Sequence, residues 1–150
     1  MKAILIDGNR NLVWSDVPDP QPKDGEVVID IKAAALNRAD LMQRNGEYPS
    51  PPGWLEWMGL EVSGIISSAP QGSRWKSGDK VCALLGGGGY AQKVAVPQDM
   101  VLPVPDGVSL EAAAAIPEAF ATSYLNLCIE GQMKAGDTVF IQAGASGLGM

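Results

Sequence analysis

The chain has 150 residues, 46% of them hydrophobic, enough for one packed domain and with no sign of disorder. A formal net charge of −6 with no histidine leaves no basic patch to neutralise a phosphate backbone or an anionic lipid surface, so neither nucleic acid nor membrane is expected as a partner. Cys82 and Cys128 lie far apart in apolar settings and read as reduced core thiols. Together with the lack of a signal-peptide pattern in Met1–Arg10 and of any apolar stretch of spanning length, they make a cytoplasmic protein the expectation.

In chain order, strands are predicted over Lys2–Ile6, Leu12–Val17, Glu26–Ala34, Leu60–Ser67, Lys80–Leu84 and Tyr90–Val96. Val27, Ile29 and Ile31 alternate with Val28, Asp30 and Lys32, a period of two that predicts one buried face. Turn-forming clusters such as Pro18-Asp19-Pro20, Lys23-Asp24-Gly25 and Ser77-Gly78-Asp79 separate the strands. Asn37 precedes a short helical stretch with Asp40 three residues on, an N-cap arrangement. The run Gly86–Gly89 reads as a flexible hairpin turn. Many short strands with little helix give a mainly β chain, an antiparallel barrel or sandwich.

The character changes after Val104-Pro105-Asp106-Gly107. Ser109 can cap a helix entering at Leu110, and Glu111–Ile116 favours helix. Pro117 suits the first turn of a second helix, and Glu118–Glu130 is bounded by Gly131, where a helix can close in the left-handed conformation. A short apolar strand, Thr138–Gln142, then leads into a glycine turn. That order presents backbone N–H groups to a pyrophosphate. Gly144 and Gly149 fill the first and third positions of the dinucleotide fingerprint, with Ala145 and Leu148 between them; Ser146 takes the middle position and Gly147 can supply the missing freedom. A glycine turn with no ligand is the bland alternative.

The stretches Ala34–Leu41, Gly46-Glu47-Tyr48-Pro49, Gly59–Gly64, Gly78-Asp79-Lys80-Val81 and Ala143–Gly149, in this order and spacing, closely resemble the zeta-crystallin-type quinone oxidoreductases of the medium-chain dehydrogenase/reductase superfamily. The resemblance runs through essentially the whole chain. It implies a GroES-like β-barrel over residues 1–117, followed over 118–150 by the first helix and strand of a truncated Rossmann domain, so that the chain is an N-terminal portion. It also implies NADPH as cofactor, with NADH as the alternative, and a homodimer in the full-length protein. Zinc-dependent relatives carry a cysteine at the position of Asn37, a histidine at Leu60 and a third ligand near Glu118. A chain with no histidine and two remote cysteines lacks every ordinary zinc spacing, so no metal site is expected.

Without a metal to polarise a carbonyl, hydride transfer is limited to electron-poor acceptors such as quinones and conjugated enones, helped by hydrogen-bond donors at the developing oxyanion. Asn37 and Tyr48 are the catalytic candidates, and the resemblance places both beside the nicotinamide. Asn37, Thr122, Gly144, Ala145, Ser146, Gly147, Leu148 and Gly149 are the cofactor-binding candidates. Each has a plain structural alternative: capping for Asn37, loop anchoring for Tyr48, and for Thr122 a hydroxyl bonded back to the preceding turn. Glu61 reads as a structural acid paired with a distant arginine, and Trp54 and Trp57 as either pocket wall or packing. A non-catalytic protein that keeps the fold and the cofactor pocket is the second functional reading.

Overall fold

In the computed structural model, which describes residues 1–149, the longest strand is β3 (Glu26–Ala34), an interior strand of its sheet. It is flanked on both sides by neighbours in a five-stranded antiparallel sheet of order β6-β3-β4-β5-β7, where β4 is Glu61–Ser68, β5 Lys80–Leu84, β6 Lys93–Pro97 and β7 Val101–Pro103. A separate antiparallel pair, β1 (Lys2–Ile6) and β2 (Leu12–Asp16), joins it through the bridge between Ala3 and Ala91. The hydrogen bonds Ile4 N–H to Tyr90 O (2.8 Å) and Gln92 N–H to Lys2 O (3.0 Å) flank that bridge. The architecture is mainly β, an open half-barrel filled by Val27, Ile29, Val62, Ile66, Val81, Val94, Val96 and Val101.

Val27, Val28 and Ile29 are all buried, so β3 carries a continuous buried run at its start where alternation predicts one face. The strand is paired along both edges, with β4 on one side and β6 on the other. Helix α1 (Arg38–Arg44) follows β3, and α2 (Leu110–Ala113) begins as predicted at the cap Ser109, whose Oγ accepts the Ala112 N–H at 3.2 Å. Helix α3 (Pro117–Tyr124) has its proline in the first turn, where the missing N–H costs nothing.

Several expectations are corrected. The sixth strand starts at Lys93 rather than Tyr90, because Tyr90 and Gln92 are engaged with β1. Strand β7 is absent from the sequence-based expectation: three residues ending in proline give too short a pattern. The helix from Glu118 does not stay α-helical to Glu130 but turns at Leu125 into a π-helical segment, Leu125–Glu130. Gly131 closes it at φ −75°, and the left-handed residue is the next one, Gln132, at φ 50°. Gly86–Gly89 is no loose turn: a Cβ on Gly86 would lie 2.5 Å from the Trp54 ring, and Gly87, Gly88 and Gly89 are buried. Thr138–Gln142 forms no strand, since among the described residues no strand pairs with it; Val139, Phe140 and Ile141 stand 41%, 86% and 51% exposed. Strand geometry is held by inter-strand hydrogen bonds, which this segment does not find.

Candidate functional site

The sheet register brings the site together. Ala34 at the end of β3 pairs with Val62 near the start of β4, so the turn after β3, which carries Asn37, lies beside Glu61. Asn37 occupies the N-cap of α1 with extended backbone (φ −118°, ψ 156°), and the Asp40 carboxylate accepts its backbone N–H at 2.7 Å. Its side chain faces the Asp40 backbone N–H, completing a capping box, and through Nδ2 donates to Glu61 Oε1 at 2.9 Å. The second Glu61 oxygen accepts the Glu118 backbone N–H in the first turn of α3 at 2.8 Å. One turn further on, Thr122 Oγ1 lies 3.4 Å from Glu118 Oε1.

Glu61 is 3% exposed and, among the described residues, has no cationic partner, so the expected pairing with an arginine is not made. Two hydrogen-bond donors and the positive end of α3 take the arginine's place. Burial pushes its pKa above the ordinary glutamate value, with Glu118 and Asp40 adding repulsion, while the bonds from Glu118 and Asn37 oppose the rise. Asp40, 1% exposed, is the second buried acid; it also accepts from Tyr90 Oη at 2.8 Å and from Gly59 N–H at 3.2 Å. Burial, then the bond to Asp40, raises the Tyr90 phenol far above its usual range. Ser63 Oγ donates to the Leu110 carbonyl, pinning the start of α2 to β4.

Asn37 and Thr122 are thus linked through Glu61 and Glu118. Thr122 does not bond back to the backbone of the preceding turn through its hydroxyl. Tyr48, in the loop beyond α1, is 40% exposed and makes no hydrogen bond to the described residues. Gly144–Gly149 forms consecutive turns on the surface, in which Ser146 N–H bonds Ala143 O (2.8 Å) and Gly149 N–H bonds Ser146 O (3.0 Å). Trp54 and Trp57 wall a cavity of about 370 Å³ with Met1, Pro18, Pro97 and Val94; Asn37, Tyr48 and Thr122 do not line it. Leu60 is buried, and among the described residues no three His, Cys, Asp or Glu side chains converge to hold a metal.

Sequence reasoning missed the role of Glu61 and that of Tyr90. The signal for the first was an acid opening a strand whose next residues, Val62 to Gly64, are all buried. No helix is long and apolar enough to cross a membrane among the described residues.

Residues 23–106 match the alcohol dehydrogenase GroES-like domain. Among curated proteins, the mouse "synaptic vesicle membrane protein VAT-1 homolog-like" is 34% identical over 153 residues, covering 99% of this chain and 37% of that protein. Among solved structures, the quinone oxidoreductase from Thermus thermophilus, solved also as its complex with NADPH, is 38% identical with a TM-score of 0.80, over 99% of this chain and 47% of that one. The CurK enoyl reductase is 27% identical with a TM-score of 0.88, over 99% and 48%. The chain therefore spans about half the length of these solved relatives and little more than a third of the curated one.

Proposed function

The chain belongs to the alcohol dehydrogenase GroES-like domain family of the medium-chain dehydrogenase/reductases, and from that premise we propose that it is the substrate-side domain of a zinc-independent, NADPH-dependent reductase of quinones or conjugated carbonyls. The observation that carries this reading is the Asn37–Glu61 hydrogen bond. The amide of Asn37 is tied to a buried carboxylate beside a buried Leu60, so these positions offer hydrogen bonding and apolar cover rather than a thiolate and an imidazole. Quinones and enones are electron-poor enough to accept hydride with hydrogen-bond assistance alone.

The donor set fits the nicotinamide end of the cofactor. Asn37 keeps the second N–H of its amide free of protein partners, and Thr122 adds a hydroxyl on the first turns of α3. The pyrophosphate would be held by N–H groups of Gly144–Gly149, although those of Ser146 and Gly149 are spent inside the turn here. When bound, NADPH supplies the hydride; NADH is the alternative. Asn37 and Thr122 orient the ring, and the Tyr48 phenol donates a hydrogen bond to the oxyanion as charge develops on it. The protein acts in the cytoplasm, as a homodimer at the length of its relatives, on a small-molecule acceptor.

NADPH oxidation by a polypeptide of the relatives' length carrying this chain, against a panel of quinones and enones, tests the reading. Turnover in metal-free protein supports it. Tight NADPH binding without turnover on any acceptor overturns it, as does a requirement for stoichiometric zinc.

A further inference from the structure

The hydrogen bonds of Glu61 connect three segments far apart in sequence: its own strand, Asn37, 24 residues before it, and Glu118, 57 residues after it. We infer that Glu61 is a positioning residue, whose single buried carboxylate sets the orientation of the Asn37 amide and the placement of the first turn of α3, which leads to Thr122. The assignment deepens the proposed function, on which the cofactor roles of Asn37 and Thr122 rest.

An ionised carboxylate only accepts hydrogen bonds, so the amide atom facing Glu61 has to be Nδ2. Oδ1 is then left for the first turn of α1. It faces the Asp40 backbone N–H, the other half of the capping box, and is not among the buried unpaired atoms, which are Asp30 Oδ1 and Gln43 Oε1. The Asn37 backbone is held independently by Asp40, so both ends of the residue are tied and the amide has one orientation. On the α3 side, Pro117 has no N–H, which makes Glu118 the first N–H of the helix interior available to the carboxylate. A glutamine at position 61 could satisfy either Asn37 or Glu118 with its oxygen but would present an N–H to the other. The ionisable groups around Glu61 are Asp40 on α1, Glu118 on α3, Cys82 on β5 and Tyr90 before β6.

Nitrogen-proton NMR of the 150-residue chain across pH is the test. The Asn37 side-chain NH₂ and the Glu118 backbone N–H are expected to shift together, with one midpoint above the ordinary glutamate value, and to lose that shared titration in Glu61→Gln. Because the wild-type titration alone reports the linkage, a variant that fails to fold does not spoil the test. Separate midpoints, or an Asn37 amide insensitive to pH, overturn the proposal. In a polypeptide of the relatives' length, Glu61→Gln and Asn37→Ala should each weaken NADPH binding roughly tenfold, the scale of one hydrogen bond to a charged group, and the double variant should add little. Additive losses overturn the coupling. A shared titration with NADPH binding unchanged in Asn37→Ala sinks the cofactor role of Asn37 while leaving the hold of Glu61 standing.

Discussion

Glu61 Oε2 accepts the Glu118 backbone N–H at 2.8 Å, joining the first residue of β4 to the first turn of α3. The bond is made by a carboxylate that is nearly inaccessible to water, and its two consequences for stability oppose each other. Losing the acceptor orphans donors, at a cost of about 1–3 kcal/mol each. Keeping it charged in the interior disfavours the fold, because the pKa of Glu61 is raised.

The pH dependence follows from that sign. A carboxyl whose pKa is raised on folding binds its proton more tightly in the native state. Its contribution is fully present below 4.5, the ordinary value, and is lost as pH rises through the raised native value. Wild-type chain should therefore lose stability relative to Glu61→Gln over that interval, measured by urea unfolding at a series of pH values. The comparison cancels Asp7, Asp16, Asp19 and Glu111, whose lowered values give the opposite slope in both proteins. A difference that grows with pH in favour of the wild type would contradict the desolvation account.

Tyr48→Phe removes a phenol that has no structural hydrogen bond to lose. In a polypeptide of the relatives' length, quinone reduction should fall about 10²–10³-fold in kcat and kcat/KM together, as for loss of an oxyanion donor, with thermal stability unchanged. A rise in quinone KM alone would assign Tyr48 to uniform binding instead.

Gly86→Ala should destabilise by about 1–3 kcal/mol, because the added methyl meets the Trp54 ring. Gly8→Ala is the control: no atom lies within 4 Å of its added Cβ, and the change should stay within about 0.5 kcal/mol of neutral. Equal denaturation midpoints for the two variants would mean that the glycine run is loose after all.

Ser109→Ala deletes the cap of α2, which packs on β3, β4 and β5. The expected loss is about 1 kcal/mol by thermal or chemical unfolding. No change would mean that the Ser63 bond to Leu110 is enough to hold the helix start.

NADPH titrated calorimetrically into the 150-residue chain should give no saturable binding at micromolar concentration. Residues 138–148 are exposed and unpaired by any strand, and the turn amides of Ser146 and Gly149 are engaged within the turn. Micromolar affinity would show that the segment rearranges around the nucleotide.

The β scaffold was largely legible because its signals are local. Lys2–Ile6, Glu26–Ala34 and Lys80–Leu84 have the same ends in sequence pattern and structure, and Ser109 and Pro117 mark helix starts by their own side-chain chemistry. What pattern could not supply was pairing between distant segments. Thr138–Gln142 has strand composition and no strand partner, and Gly86–Gly89 has turn composition but packs against Trp54 and Leu55. Of the site, Asn37 and Thr122 follow from resemblance, whereas the residue that links them is not legible, because an acid in a strand reveals its partners only once the strands are in register.

The Glu61–Glu118 bond closes a loop of 57 residues, and the Glu61–Asn37 bond one of 24. Contacts of such separation are entropically costly to close and form after the hairpin contacts of their neighbourhood. The Glu118 amide therefore exchanges its proton with solvent only when α3 leaves β4, so its protection measures how often the linkage opens, residue by residue, in the intact fold.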